Sequence, residues 1–147
     1  MLAWRVSPDY PLVIAANRDE FFDRPTAPAA FWGEHPNVLA GRDIAGGGTW
    51  MGLTRSLRFA ALPNVRETRD TFNPDAPSRG KLVSEFLIAR RRPDTYSKTV
   101  ARQGNQYNGF NLLVADRDML YYYCNRGNIL KELPPGIYGL SNQSLDT

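Results

Sequence analysis

Cysteine is nearly absent from this chain. Cys124 stands alone, which excludes an internal disulfide and a cysteine-built metal cluster. Histidine is as scarce. His35, between Glu34 and Pro36, is the single one; one imidazole cannot build a zinc site, and it reads as loop surface. No apolar run approaches the ~20 residues of a membrane-spanning helix. No long apolar core follows basic residues near the start, as a secretory leader requires. A cytoplasmic location is the expectation. Lysine is short too, since 15 of the 18 basic residues are Arg. Arginine favours planar, bidentate and stacked partners. The net charge of +3 is too small to argue for nucleic acid, so the excess reads as solvated surface and ion pairs.

What is present suits one globular domain. The chain has 147 residues, 42% of them apolar and 12% aromatic, enough for a core. Residues 2–6 and 12–16 flank Ser7-Pro8-Asp9-Tyr10-Pro11 and read as a hairpin. Residues 24–37 hold Pro25, Pro28 and Pro36 and are expected to be irregular. Residues 38–41, 49–54 and 57–62 look like successive strands of a meander. Residues 63–77, rich in proline and polar groups, form a long loop able to cover a site. Residues 78–91 carry apolar residues at three- and four-residue intervals and predict a helix capped by Ser78 and stopped by Pro93. Arg90-Arg91-Arg92 falls in its last turn, where cations suit the dipole. Asp94 caps a shorter helix through Tyr96 and Val100, ending at Gly104. Residues 110–115 and 119–125 surround Asp116-Arg117-Asp118 as a hairpin, and residues 128–133 and 137–141 add two strands. Hairpins, then helices, then hairpins predict an α+β fold with antiparallel sheets. The βαβ alternation of a parallel nucleotide-binding sheet is missing.

The densest chemistry is AANRDEFFDRP at 15–25. An apolar strand runs straight into Asn17-Arg18-Asp19-Glu20. Such groups must be paired or hydrogen-bonded if they are buried. Two readings follow. In one, Arg18 lies at the base of a pocket and neutralises an anion, with Asp19 orienting a nucleophile or accepting a proton. In the other, Arg18 pairs with Asp19, Glu20 or Asp23 in a strand-end ion network.

These residues, with GRDIAGGGTWMGLT at 41–54, RFAALPNVRE at 58–67, APSRGKLV at 76–83, YNGFNLLVAD at 107–116 and YGLSN at 138–142, resemble the NRDE family, which contains the transport-and-Golgi-organisation-2 proteins. The blocks run in family order along the whole chain. The resemblance implies a single NRDE-type domain over 1–147 and the front portion of a longer protein, because family members usually begin Met-Cys and continue past the Gly-Leu-Ser-Asn block. More distantly, it implies αββα layers like those of N-terminal-nucleophile hydrolases of the choloylglycine hydrolase and penicillin V acylase group. There an N-terminal Cys attacks an amide carbonyl, and Asn amides stabilise the oxyanion. Carried over by position, Arg18 matches that group's Arg, and Asn64 and Asn142 its Asn donors. Asp19 matches less well, and Leu2 stands near where the Cys would be, so this chain should not perform that reaction. Asn17, Glu20, Arg42, Thr49 and Trp50 would border the pocket and contact a small-molecule ligand. No cofactor is expected.

The remaining motifs have plainer readings. Gly46-Gly47-Gly48 lacks the Gly-Lys-Ser/Thr ending of a phosphate loop and reads as a tight turn. Asp19, Glu20, Asp23 and Asp43 have no calcium-loop spacing. Cys124 shares a strand face with Tyr122 and Leu120 and reads as a small buried hydrophobe. Tyr121–Tyr123, with Tyr107, Phe110 and Tyr138, read as strand core. The alternative function is a non-enzymatic carrier of a small apolar or anionic ligand. Family members have been linked to haem handling; Tyr, His35 or Cys124 each suit iron, and nothing in the sequence chooses among them. Oligomeric state is not legible.

Overall fold

Turn-separated apolar runs become two antiparallel sheets in the computed structural model, which describes residues 1–18, 20, 22–141, 145 and 146. The first hairpin joins β1 (Leu2–Trp4) to β2 (Leu12–Ile14). Arg5 turns the chain at φ 50° and donates its N–H to Pro11 O at 2.7 Å. Next come β3 (Thr26–Phe31), β4 (Val38–Asp43), β5 (Met51–Thr54), β6 (Phe59–Ala61), β7 (Asn111–Ala115), β8 (Leu120–Cys124) and β9 (Ile129–Glu132). They pair in chain order as a seven-stranded meander. β10 (Gly136–Leu140) and β11 (Leu145–Asp146) return to the first hairpin, and the smaller sheet runs β11-β10-β1-β2.

The expected irregular stretch at 24–37 is corrected here: β3 lies inside it. Pro28 is tolerated because β3 is an edge strand and its register shifts between Ala27 and Ala30, the two settings in which a missing N–H costs no ladder bond.

The helical region also differs from expectation. α1 (Gly80–Ile88) starts after Arg79, and no side chain caps it. Ser78 lies outside and accepts the Lys81 N–H through its carbonyl at 3.4 Å. Arg90-Arg91-Arg92 falls beyond the helix end, where Ala89 is already extended. Pro93 does not stop that helix; it opens α2 (Pro93–Ala101), as its fixed φ and missing N–H suit a first-turn position. Asp94 therefore sits in the first turn, not at the cap.

Alternation along β6, β7 and β8 sends side chains to both faces of the larger sheet. One face, with Ala60, Leu112, Val114 and Tyr123, packs on Leu82, Val83, Phe86 and Leu87 of α1 and Tyr96 and Val100 of α2. The other, with Phe59, Ala61, Leu113, Leu120, Tyr122 and Cys124, packs on Leu2, Trp4 and Tyr138 of the smaller sheet. The result is three layers, helices over sheet over sheet, an α+β architecture. The tyrosine run is core as expected, but split between the two faces. Among the described residues no helix is long and apolar enough to cross a membrane.

Candidate functional site

Five strand termini meet at one end of the two-sheet sandwich. β1 starts there: the Met1 amino group donates to Ala15 O at 2.9 Å, and Ala15 N donates back to Met1 O at 3.0 Å. β2 ends there and leads into Asn17-Arg18. β10 ends there, since Tyr138 pairs with Leu2. Across the interface β7 begins with Asn111, whose Nδ2 donates to Ser141 O at 3.4 Å. β6 runs out beside it into Asn64, which bridges Phe110. The opposite end is marked by Arg5, after β1, donating to Arg117 O in the β7–β8 turn.

Between the sheets lies a polar pair. Asn111 is 0% exposed, and its Oδ1 accepts the Tyr122 hydroxyl at 2.7 Å. Burial first, with Cys124 close by, pushes that hydroxyl up to about 12.

The Asn17-Arg18 segment enters a chain of charges. Arg18 Nη2 is 3.6 Å from Glu20 Oε2, and Arg24 Nε is 3.6 Å from the same oxygen. Arg24 also grips Asp43 with two N–H groups, at 2.6 and 3.2 Å. Asp43 Oδ1 accepts the Ala45 and Gly46 amides at 3.1 Å each, closing the glycine turn. Burial works against the Asp43 carboxylate, but Arg24 and the two amides outweigh it and hold it below the ordinary range. Arg18 thus joins an ion network through Glu20.

The loop at 63–77 roofs a cleft of about 310 Å³ lined by Asn64, Val65, Glu67, Thr68, Arg69, Phe72 and Arg79. Asn108 clamps the loop, with Asn73 N donating to its Oδ1 at 2.8 Å and its Nδ2 donating to Asn73 O at 2.7 Å. Asn125 holds the next turn, accepting Phe110 N and donating to Gly104, Tyr107 and Asn108 carbonyls. Glu67 is ion-paired with Arg126 of the β8–β9 turn. Arg79, half-buried, donates through Nη1 to Gly109 O at 2.7 Å. Burial lowers its guanidinium from the ordinary value; Glu67 and Glu20 push the other way, Arg126 and Arg24 with it. The charge chain and the cleft therefore share one electrostatic field.

The predicted residues are thus distributed unevenly. Arg18, Glu20 and the exposed Asn17 lie on the segment after β2, and Asn64 lines the cleft. Asp19 and Asn142 lie outside the described residues. Arg42 points elsewhere, paired with Glu34 and stacked 4.1 Å from the Trp32 ring. Thr49 is buried and donates to Met51 O, and the Trp50 carbonyl accepts Leu62 N. Sequence reasoning missed Arg79, Glu67, Asn111 and Asn108. Arg79 sits in the APSRGKLV block, the one signal available for it.

The family model described as Transport and Golgi organisation 2 matches residues 1–147. The Transport and Golgi organization 2 homolog of Mus musculus is 44% identical over 147 residues, covering 94% of this chain and 52% of that protein. The Homo sapiens homolog is 42% identical over 149 residues, again 94% and 52%. The Drosophila melanogaster protein is 29% identical over 142 residues, 90% and 49%. The chain spans about half the length of these relatives. It belongs to the Transport and Golgi organisation 2 family.

Proposed function

We propose that the end of the sandwich where the five strand termini meet binds a small acyl or amide compound. Arg18, Asn64 and Asn142 serve as hydrogen-bond donors, with Asp19 as acidic partner and Asn17 and Glu20 at the border. The observation that carries this is the tie between Asn111 Nδ2 and Ser141 O. It draws the start of β7, and with it Asn64, to the end of β10 and the start of β1. Arg18 follows the end of β2 and Asn64 the end of β6, so both belong to this end of the sandwich, and polarising a carbonyl takes donors supplied to one place.

Hydrolysis of such a bond needs an attacking group at the start of β1. Leu2 stands there in this sequence, and introducing an attacking group tests whether the surrounding donors support hydrolysis. The test is Leu2→Cys, processed to remove Met1 so that the α-amino group is free. The thiol adds to an amide carbonyl, its proton passes through the amino group to the departing amine, and water cleaves the thioester to the acid. Chromogenic acyl anilides should release amine with this variant. Asn64→Ala in the same background should slow release by roughly 10²–10³-fold, the loss seen for one oxyanion donor. Release no faster than from Leu2→Ala would overturn the reading. Arg18→Ala should weaken acyl-ligand binding with the far-ultraviolet circular dichroism intact. An unfolded Arg18→Ala protein would instead mark the segment as a structural knot.

A further inference from the structure

We infer that the outer face of the smaller sheet is a docking surface for an amphipathic helix, carried by the part of the family's chain that lies outside the stretch matched here. This surface is independent of any ligand at the strand-terminus end.

Alternation sorts the residues of β1, β2 and β10. Leu2, Trp4 and Tyr138 point inward to the larger sheet, with Leu12, Ile14 and Leu140 packed beside them. The residues between them point out. Ala3 pairs with Val13 on one side and with Ile137 on the other. The hydrogen bonds between Met1 and Ala15 continue the outward set along the strands, toward Gly139. Val13 is 42% exposed, Ile137 61% and Met1 62%, and Ala15 and Gly139 are exposed as well. None of these side chains is polar, and β1, β2 and β10 hold no charged residue on either face. An antiparallel sheet with one face in water alternates apolar and polar residues, whereas strands apolar on both faces are covered on both. Single exposed apolar residues are ordinary; a contiguous uncharged face marks a contact surface. The larger sheet meets the same demand with α1 and α2.

Shape and size select the occupant. Ala3 lies low between the taller Val13 and Ile137, so a furrow runs along β1. β2 and β10 stand two strand spacings apart, about 10 Å, which suits one helix about 10–12 Å across. Size argues against a free partner. This face falls far short of the roughly 20–30 residues a side that hold separate proteins together, so neither a second copy nor an unlinked protein is retained by it alone. A tethered segment needs less contact, because linkage raises its local concentration to the order of millimolar. The match takes up 52% of the Mus musculus relative, and the remainder of such a chain is the source assigned to the helix.

The test compares the 147-residue chain with a fusion in which it replaces the matched stretch of the Mus musculus relative. The methyl groups of Val13 and Ile137 are followed by nuclear magnetic resonance with a soluble gadolinium chelate. Both should relax strongly in the chain alone at every protein concentration and be shielded in the fusion, with Val83, 0% exposed, setting the shielded limit. Nuclear Overhauser contacts from the two methyls should lead to residues with helical carbon shifts. Ile137→Asp should lower the melting temperature of the fusion by roughly 5 °C or more beyond its effect on the chain alone, since the charge is then buried without a partner. Val13→Asp repeats the comparison on the other wall of the furrow. If the fusion does not fold, overlapping synthetic peptides spanning the relative's remainder are titrated onto the chain. One with apolar residues at three- and four-residue intervals should shield both methyls and gain helical circular dichroism. Methyls left open in the fusion, or throughout the peptide series where the fusion fails, would overturn the inference. Contacts to an extended segment would do the same, as would equal melting shifts in the two proteins. Shielding in the chain alone that rises with its concentration would assign the face to a second copy and overturn it too.

Discussion

Asn111 and Tyr122 occupy positions where neither can reach water. Tyr122→Phe takes the hydroxyl from Asn111 Oδ1 and leaves that oxygen without its 2.7 Å donor. The expected loss is about 1–3 kcal/mol, the penalty for one buried unsatisfied group, read from the urea midpoint at unchanged slope. A neutral substitution would mean the amide finds another partner. Asp43 gives a second residue-scale prediction, in pH. Its folded pKa is depressed, so its contribution is present above the unfolded value of about 3.9. It is lost as pH falls through the lower folded value. Asp43→Asn keeps an oxygen for the Ala45 and Gly46 amides and removes the charge that Arg24 grips. The variant should be less stable at neutral pH, and the gap should close as pH drops below about 4. A gap constant with pH would sink the assignment. At this scale the sequence was legible where charge clustered, as at Arg18 and Glu20. It was opaque at Asn111, which sits inside an apolar run and differs from its neighbours only by an amide.

The elements meet most tightly where the glycine turn between β4 and β5 touches the start of α1. Gly48 allows this: a Cβ there would fall 2.3 Å from Gly80 C and 2.5 Å from Gly80 O, inside any tolerable contact with rigid backbone. Thr49 N donates to Gly80 O at 3.2 Å across the same junction. Gly48→Ala must push turn and helix apart, at about 1–3 kcal/mol as for other overpacked sites. Gly33 is the control, since a Cβ there meets nothing within 4 Å. Gly33→Ala should be neutral or stabilise by about 0.4–1 kcal/mol. Thermal melts of the two variants side by side decide the matter, and equal melting temperatures would refute the packing argument. Hairpins were readable because turn chemistry is local. Helix ends were not, because Pro93 has the same letter whether it ends one helix or begins another.

At the level of the whole molecule, the antiparallel α+β plan followed from the order of hairpins and helices. The partition into seven and four strands did not. β6 pairs with β7 across everything from residue 62 to 110, and β10 returns to β1 from the far end of the chain. Such long-range closures leave no periodic signal. The same folding-back explains what was visible of the site. Asn64, Glu67 and Arg79 all fall in the blocks RFAALPNVRE and APSRGKLV, but the pairing of Glu67 with Arg126 exists only once the 63–77 loop and the β8–β9 turn are brought together.

The seam at Gly48 and Gly80 reaches further than local packing. Because main chain rests on main chain there, the backbone at the neighbouring Arg79 is set by packing, and its guanidinium is tied to Gly109 O. Replacement of Arg69 or Phe72, which line the cleft beside it, then alters the cleft wall and leaves that seam in place.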